Sequence, residues 1–285
     1  MRADNSEVAP DREFHFTETD FARIRVYVKE HTGINLSEAK KNMVYSRLSR
    51  RLRQLNMTSF SAYWDRVTAA GSDEQGDFIN AITTNLTAFF RENHHFEFLS
   101  DTLLPKLVKD NQHTRKLRIW SAGCSTGEEP YSIAMTLLEN VPDAAKWDIK
   151  ILATDLDTNV LAHAQAGIYD AERVRSLPDS RKKRWFKRGS GANAGSVRAS
   201  NELRNLINFR QLNLMGQWPM KGPFDFMFCR NVVIYFDKPT QKVLFDRYAG
   251  MLVEDGHIFL GHSETLYKVT DRYELLGKTI YKKLR

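Results

Sequence analysis

Cysteine is nearly missing from this chain: only Cys124 and Cys229 occur in 285 residues, far apart. That excludes a disulfide framework and a zinc site built on paired cysteines, and it points to a reducing compartment, so the cytoplasm is the expected location. No apolar run approaches the roughly 20 residues of a membrane-spanning helix, so membrane insertion is not expected. The opening MRADNSEVAPDREFHF is polar and of mixed charge, without the apolar core of a secretory signal. The dinucleotide pattern G-x-G-x-x-G is absent, and so is any Ser-His-Asp or Cys-His arrangement for nucleophilic catalysis. There is no internal repeat and no low-complexity segment.

What is present suits a folded protein of one large α/β domain with a smaller companion: 42% hydrophobic and 27% charged residues. The net charge of +7 and pI near 9.3 favour an acidic partner, either nucleic acid or an acidic protein surface. Residues 1–16 read as a disordered or extended tail. From 17 to 84 the pattern is helical throughout. Thr17 with Asp20 forms a capping box, and Phe21, Ile24 and Val28 recur at helical spacing. His31, Thr32 and Gly33 end that helix, and Ser37 can cap the next, which runs to about Asn56. Its stripe of Val44, Leu48, Leu52 and Leu55 lies beside Lys40, Arg47, Arg50 and Arg51, a basic face that is either simply solvated or a docking surface for something acidic and elongated. Thr58–Gly71 and Asp77–Phe90 supply further short helices.

From about residue 115 strands alternate with helices, the signature of a doubly wound parallel sheet. The expected strands are Lys116–Trp120, Asp148–Ala153, Leu206–Gln211, Phe224–Cys229 and His257–Leu260. A hairpin, Tyr273–Leu276 and Thr279–Lys283, follows them. Residues 167–205 interrupt this rhythm. There Trp185–Arg188 and Ser196–Ala199 flank a turn holding Gly189, Gly191 and Gly195, which predicts a small antiparallel β subdomain; the alternative is an unstructured surface loop.

Ligands of open α/β sheets bind beyond the carboxyl ends of the strands. After the first strand comes SAGCSTGEEPYS, where Gly123 and Gly127 allow a tight turn and Glu128 and Glu129 place negative charge where a pyrophosphate would otherwise sit. That favours a phosphate-free ligand carrying positive charge, such as S-adenosylmethionine. The second strand ends in ATDLD. Asp155 is assigned to the ribose hydroxyls and Asp157 to capping the next helix, although either could cap. Asn213 and Leu214 suit an adenine ring. CRNVVIYF puts Arg230, Asn231 and Tyr235 near the reacting centre.

Five ordered motifs, NLTAFFRE (85–92), SAGCSTGEEPYS, TDLD, NL and FCRNVVIYFD, closely resemble the chemoreceptor glutamate methyltransferases of the CheR type, across nearly the whole chain. The resemblance implies a Rossmann-like class I methyltransferase sheet (residues 99–285) with an all-helical N-terminal domain and a small antiparallel β subdomain. It implies S-adenosylmethionine as cofactor, S-adenosylhomocysteine as product, and no metal. Asn85, Thr87 and Arg91, from a linker (85–98) folded over the cofactor, would contact it, as would Gly123, Glu129, Asp155, Asn213, Leu214, Arg230 and Asn231. Arg91 would pair with the incoming carboxylate and Tyr235 would line the methyl path. Without the resemblance, Phe89 and Phe90 read as ordinary core. Lys40, Arg47, Arg50 and Arg51 would face the receptor's acidic methylation helices. The glycine-bearing turn, with Arg188 and Arg198 beside it, would tether a pentapeptide at the receptor's C-terminus.

Two rivals follow from other classes. A nucleic-acid methyltransferase shares the fold and the basic pI. However, the (N/D)PP(Y/F) run of base amino-group methylation is absent, no basic-aromatic platform is evident, and Cys229 reads as a buried thiol rather than a nucleophile. A non-catalytic cofactor-binding adaptor is disfavoured by the intact glycine turn, Asp155 and Arg91. His94 and His95, adjacent on a helix, read as surface residues unable to share a metal. His262 carries no assignment.

Overall fold

The computed structural model describes residues 12–284, and the chain divides into two compact units between Thr83 and Thr84. Among the described residues the first holds four α-helices, α1 (Glu18–Thr32), α2 (Lys41–Gln54), α3 (Phe60–Thr68) and α4 (Glu74–Ile82). The capping box forms as expected: Thr17 Oγ1 accepts from the Asp20 amide at 3.0 Å, and Asp20 Oδ2 accepts from the Thr17 amide at 2.8 Å. Gly33, in the left-handed region at φ 77, closes α1. Ser37 makes no side-chain cap bond; a 3₁₀ turn, Glu38–Lys40, intervenes before α2.

Val44, Leu48 and Leu52 are fully buried against Phe21, Ile24, Tyr63 and Phe78. Each such side chain contributes roughly 1.5–3 kcal/mol of burial free energy. Phe14 and Phe16 belong to the same core, with the Phe16 and Phe60 rings 4.6 Å apart. The end of the expected tail is therefore packed down, because two phenylalanines spaced by one residue can both reach the apolar face; residues 1–11 lie outside the described ones. The fourth helix stops at Ile82 instead of running to Phe90. Thr83 turns to extended backbone, and Arg47 donates to the carbonyl of Ile82 at 2.7 Å and to that of Thr83, satisfying acceptors that a longer helix would have used.

Arg47 and Arg51 are thus not part of a free basic face. Arg51 donates twice to Glu74, at 2.6 and 2.7 Å, and also reaches Asp77, while Tyr63 Oη donates to Glu74 at 2.9 Å. Glu74 is buried, so this arginine neutralises an internal charge. Lys40 and Arg50 stay exposed.

The second unit opens with α5 (His94–Phe98), a π-helical turn (Leu99–Leu103) and α6 (Leu104–Asp110). It continues through β1 (Lys116–Ala122), α7 (Glu128–Asn140), β2 (Asp148–Asp155), α8 (Thr158–Ala166), β3 (Ile168–Asp170), α9 (Asp179–Trp185), β4 (Phe186–Arg188), β5 (Ser196–Ala199), α10 (Asn201–Leu206), β6 (Ile207–Gln211), β7 (Phe224–Cys229), α11 (Lys238–Met251), β8 (Leu252–Leu260), β9 (Tyr273–Gly277) and β10 (Ile280–Lys283). The main sheet has the order β6-β2-β1-β7-β8-β10-β9. Its first five members run parallel, and β10 runs antiparallel to both β8 and β9. Chain order reverses between β1 and β7, so the crevice for a ligand opens beyond their carboxyl ends.

Alternate residues of β1 feed two cores. Leu117 and Ile119 pack in the cluster that contains Ile133 and Leu137 of α7, whereas the Trp120 ring meets Tyr248 of α11 at 5.3 Å. Both faces are therefore covered, as the fold class requires. Residues 167–205 do form an antiparallel sheet, in the order β3-β5-β4, with a third strand and two short helices that the sequence reading missed. Among the described residues no helix is long and apolar enough to cross a membrane.

Candidate active site

The turn after β1 is pinned to β2, because the amides of Gly123 and Cys124 both donate to the Thr154 carbonyl, at 2.8 and 2.9 Å. Gly123 has φ +81, and a Cβ there would lie 2.3 Å from Val232 Cγ2. Gly127 has φ +97, and its Cβ would lie 2.8 Å from that of Ala164. Both positions need glycine on two counts, the left-handed backbone and the absence of space.

The two acids that open α7 have different partners. Glu128, fully buried, is taken by Arg173 and by Thr126 Oγ1 at 2.6 Å. Glu129 accepts from Ser121 Oγ at 2.7 Å and faces Arg230 Nη1 at 3.4 Å. Burial pushes the Glu129 carboxyl up, against the opposing pull of Arg230 and Ser121.

At the end of β2, Asp155 Oδ2 accepts from the Ser125 amide at 2.8 Å and Oδ1 from the Asp157 amide at 3.0 Å, so the carboxylate is held against the glycine turn. Asp157 caps α8 through Asn159 and Val160, and its second oxygen accepts from Asn85 Nδ2 at 2.8 Å. Asp155 raises its pKa chiefly through burial. Beyond β6, Asn213 Oδ1 accepts from the Met215 amide at 2.9 Å and shapes a turn, while the Leu214 side chain is buried. Beyond β7, Arg230 is buried and its guanidinium lies within 3.4 Å of both Glu129 and Glu92. Asn231 is left-handed at φ 60, and Tyr235, half-buried, closes the 3₁₀ turn Val233–Tyr235.

Residues 85–92 are fastened along these strand ends. Ser125 Oγ donates to the Asn85 carbonyl at 3.0 Å, Arg173 to that of Thr87 at 3.0 Å, the Phe90 amide to Ser132 Oγ at 3.0 Å, and Arg230 to the Arg91 carbonyl. Arg91 itself donates to the Leu86 carbonyl at 2.8 Å. Phe89 is buried against Tyr169 and Phe186, so it serves the core as well. The structure thus gathers Asn85, Thr87, Arg91, Gly123, Glu129, Asp155, Asn213, Leu214, Arg230, Asn231 and Tyr235 on segments at one edge of the sheet. Arg188, Gly189, Gly191, Gly195 and Arg198 belong to the smaller sheet.

Sequence reasoning misplaced His95. It is fully buried, its Nε2 donates to the Lys278 carbonyl at 2.9 Å, and burial with the nearby Arg230 charge pushes its pKa down to about 3. Nor do the histidines diverge: Glu92, His94 and His95 bring one potential ligand atom each within 4.8 Å of one another, because the chain turns at Glu92, with φ 55. The cation that faces Glu92 is Arg230. His262, unassigned from sequence, binds Glu92 Oε1 through Nδ1 at 2.9 Å. Cys229 is a buried thiol against Tyr248 Oη at 3.3 Å, and burial raises its pKa well above the ordinary value. Glu264, four residues past the end of β8, was missed altogether.

The donor set fits S-adenosylmethionine. The glycine turn offers carboxylates and amides, and the arginines beside it are taken by acids, Arg173 by Glu128 and Arg230 by Glu129 and Glu92. Two family models divide the chain as the structure does: CheR methyltransferase, all-alpha domain, matches residues 19–83, and CheR methyltransferase, SAM binding domain, matches residues 85–282. The chain belongs to the CheR methyltransferase family. It is 48% identical to chemotaxis protein methyltransferase 2 of Pseudomonas aeruginosa over 97% of each chain. It is 44% identical to the chemotaxis protein methyltransferase of Escherichia coli, over 93% of this chain and 91% of that one. The corresponding protein of Borreliella burgdorferi shares 37% identity over 94% of this CheR chain and 95% of its own. The protein is therefore an S-adenosylmethionine-dependent methyltransferase with a Rossmann-like catalytic unit.

Proposed function

We propose that this CheR protein methylates glutamate side-chain carboxylates of chemoreceptors, forming methyl esters for sensory adaptation. The observation that carries this reading is the strand-end site itself, where Glu129 and Asp155 flank a glycine turn and residues 85–92 are fastened across it. Asp155 takes the ribose hydroxyls, Asn213 and Leu214 hold the adenine, and Asn85, Thr87, Gly123, Glu129, Arg230 and Asn231 surround the remainder of the donor. When bound, S-adenosylmethionine supplies an activated methyl group on a cationic sulfonium. A glutamate carboxylate is already ionised at neutral pH, so no strong base is needed. The protein's tasks are alignment and exclusion of water. Arg91 pairs with the incoming carboxylate and orients it, and Tyr235 lines the approach. A metal has no step to perform in this scheme.

Lys40, in the 3₁₀ turn before α2, and Arg50, on α2, are exposed cations offered to the receptor's acidic helices, since Arg47 and Arg51 are engaged inside the helical unit. On the smaller sheet, Arg198 stands between Ile168 and Lys187, exposed like Arg188. These arginines, beside the turn of Gly189, Gly191 and Gly195, are suited to the acid groups of a receptor's C-terminal pentapeptide.

Labelled S-adenosylmethionine presented with receptor cytoplasmic fragments, RNA and DNA tests the proposal. Base-labile label in the receptor fragment is expected. Label in nucleic acid alone, or none in any acceptor, would sink it. A peptide titration addresses the tether separately.

A further inference from the structure

Glu264 takes no part in the donor contacts assigned above, yet its carboxylate accepts four backbone amides of the strand-end region. It is buried, 4% exposed. Its Oε2 accepts from the amides of Asn231 at 2.9 Å and Gly261 at 2.6 Å, and its Oε1 from those of Val232 at 2.9 Å and Ile234 at 3.2 Å. Four backbone amides from the two loops that follow β7 and β8 thus converge on one side chain. Amides need partners, and these four find none in a ladder or helix: Asn231, Val232 and Gly261 lie outside both, and Ile234 lies in the first turn of the 3₁₀ segment Val233–Tyr235, where an amide has no partner within the helix.

The conformation held in this way is costly. Asn231 sits at φ 60, a region a non-glycine residue occupies only when its surroundings over-determine it. The neighbouring glycines show how tightly the loops are drawn together. A Cβ on Gly261 would lie 2.5 Å from Asn231 Nδ2 and 2.9 Å from Glu264 Oε2, and one on Gly123 would lie 2.3 Å from Val232 Cγ2. The Glu264 carboxylate therefore braces, through Val232, the loop that presses on the glycine turn, and it fixes the backbone from which Asn231 and Tyr235 project.

We infer that Glu264 is a positioning residue for donor binding, acting through Asn231 and Val232 without touching the donor. The inference rests on the reading that Asn231 contacts the donor. The experiment uses the full chain and S-adenosylhomocysteine as probe, with Glu264→Gln, Asn231→Ala and the double variant measured by calorimetry and by amide hydrogen exchange. Gln keeps the size but has one acceptor oxygen and brings an N–H group toward the amides. Each single variant is expected to weaken binding about 10-fold. The double variant is expected to lie within about two-fold of the worse single, because both changes remove one contact. Exchange at Asn231, Val232 and Ile234 should rise at least 10-fold while Ile119 and Met227 in the sheet stay protected. A multiplicative loss near 100-fold, or unchanged exchange at those amides, overturns the inference. If Asn231→Ala binds normally, the donor reading fails for that residue, and the exchange at the loop amides still decides whether Glu264 braces it. Should Glu264→Gln not fold, Glu264→Asp keeps the charge with a shorter reach. It must then show the same selective exchange at the loop, and its absence would count against the role.

Discussion

Arg230, at the end of β7, and Glu129, in the first turn of α7, face each other at 3.4 Å with both side chains nearly closed to solvent. The same guanidinium lies 3.4 Å from Glu92 and stacks on Phe96 and Phe228. Arg230→Ala would leave two buried carboxylates without their cation. Breaking one partner of such an arrangement costs about 3–5 kcal/mol. A Tm drop of well over 5 °C with loss of S-adenosylhomocysteine binding is expected in calorimetry. Lysine, a point charge without the planar fork, should recover only part of either. A variant as stable as the parent would mean that the two acids do not depend on Arg230.

Arg51 separates docking from folding. Its two bonds to Glu74 hold a carboxylate that is 1% exposed. Arg51→Ala should destabilise the helical unit by about 3 kcal/mol, read as a shifted urea midpoint. Arg50→Ala, at an exposed position, should leave the midpoint within about 0.5 kcal/mol and weaken binding to acidic receptor helices, increasingly so at low salt. Equal stability loss in both variants would remove the distinction.

The fold was largely legible because each level of pattern agreed: helical spacing in Phe21, Ile24 and Val28, alternation of apolar strands with helices from Lys116 onward, and acids beside Gly123 and Gly127. The motifs at the strand ends could be ordered from the chain alone, whereas the place of residues 85–92 beside them rested on the family resemblance. What was not legible depends on contacts between residues distant in sequence. At 100° per residue Arg50 falls nearly opposite the Val44, Leu48 and Leu52 stripe and Arg51 beside it, but the partners of Arg47 and Arg51, the Ile82 carbonyl and Glu74, are seen only once α4 is in place. His95 looks like a surface residue until Lys278 and Phe259 are placed around it. Glu264 lies in a stretch with no periodicity, and its four amide partners are 3 to 33 residues away.

The buried histidine predicts an acid limb in stability. His95 in the folded chain titrates near 3, well below the usual 6.5, because burial opposes its charged form. As pH falls below 6.5 the unfolded chain takes up a proton there that the folded chain refuses, so stability declines. The slope for one such site approaches about 1.4 kcal/mol per pH unit. His257, pushed down to about 4 by burial, adds to the same limb. Urea midpoints should therefore fall between pH 7 and 5, and His95→Gln should flatten part of that fall. An unaltered slope in His95→Gln would show that His95 does not stay neutral.

Arg91 offers the sharpest test of how substrate and donor are divided between residues. Its guanidinium donates to the Leu86 carbonyl at 2.8 Å and is half-exposed, so its removal leaves no buried charge behind. The backbone of its segment is held independently, by Ser132 at Phe90 and by Arg230 at the Arg91 carbonyl. Arg91→Ala should therefore keep the segment in place and keep S-adenosylhomocysteine affinity within about three-fold. If the side chain orients the attacking carboxylate, kcat on receptor fragments should fall by about 100-fold, the scale of a lost alignment. Parallel losses in affinity and turnover would instead assign Arg91 to holding the donor, and the carboxylate would have to be oriented by another group, with Tyr235 the next to test.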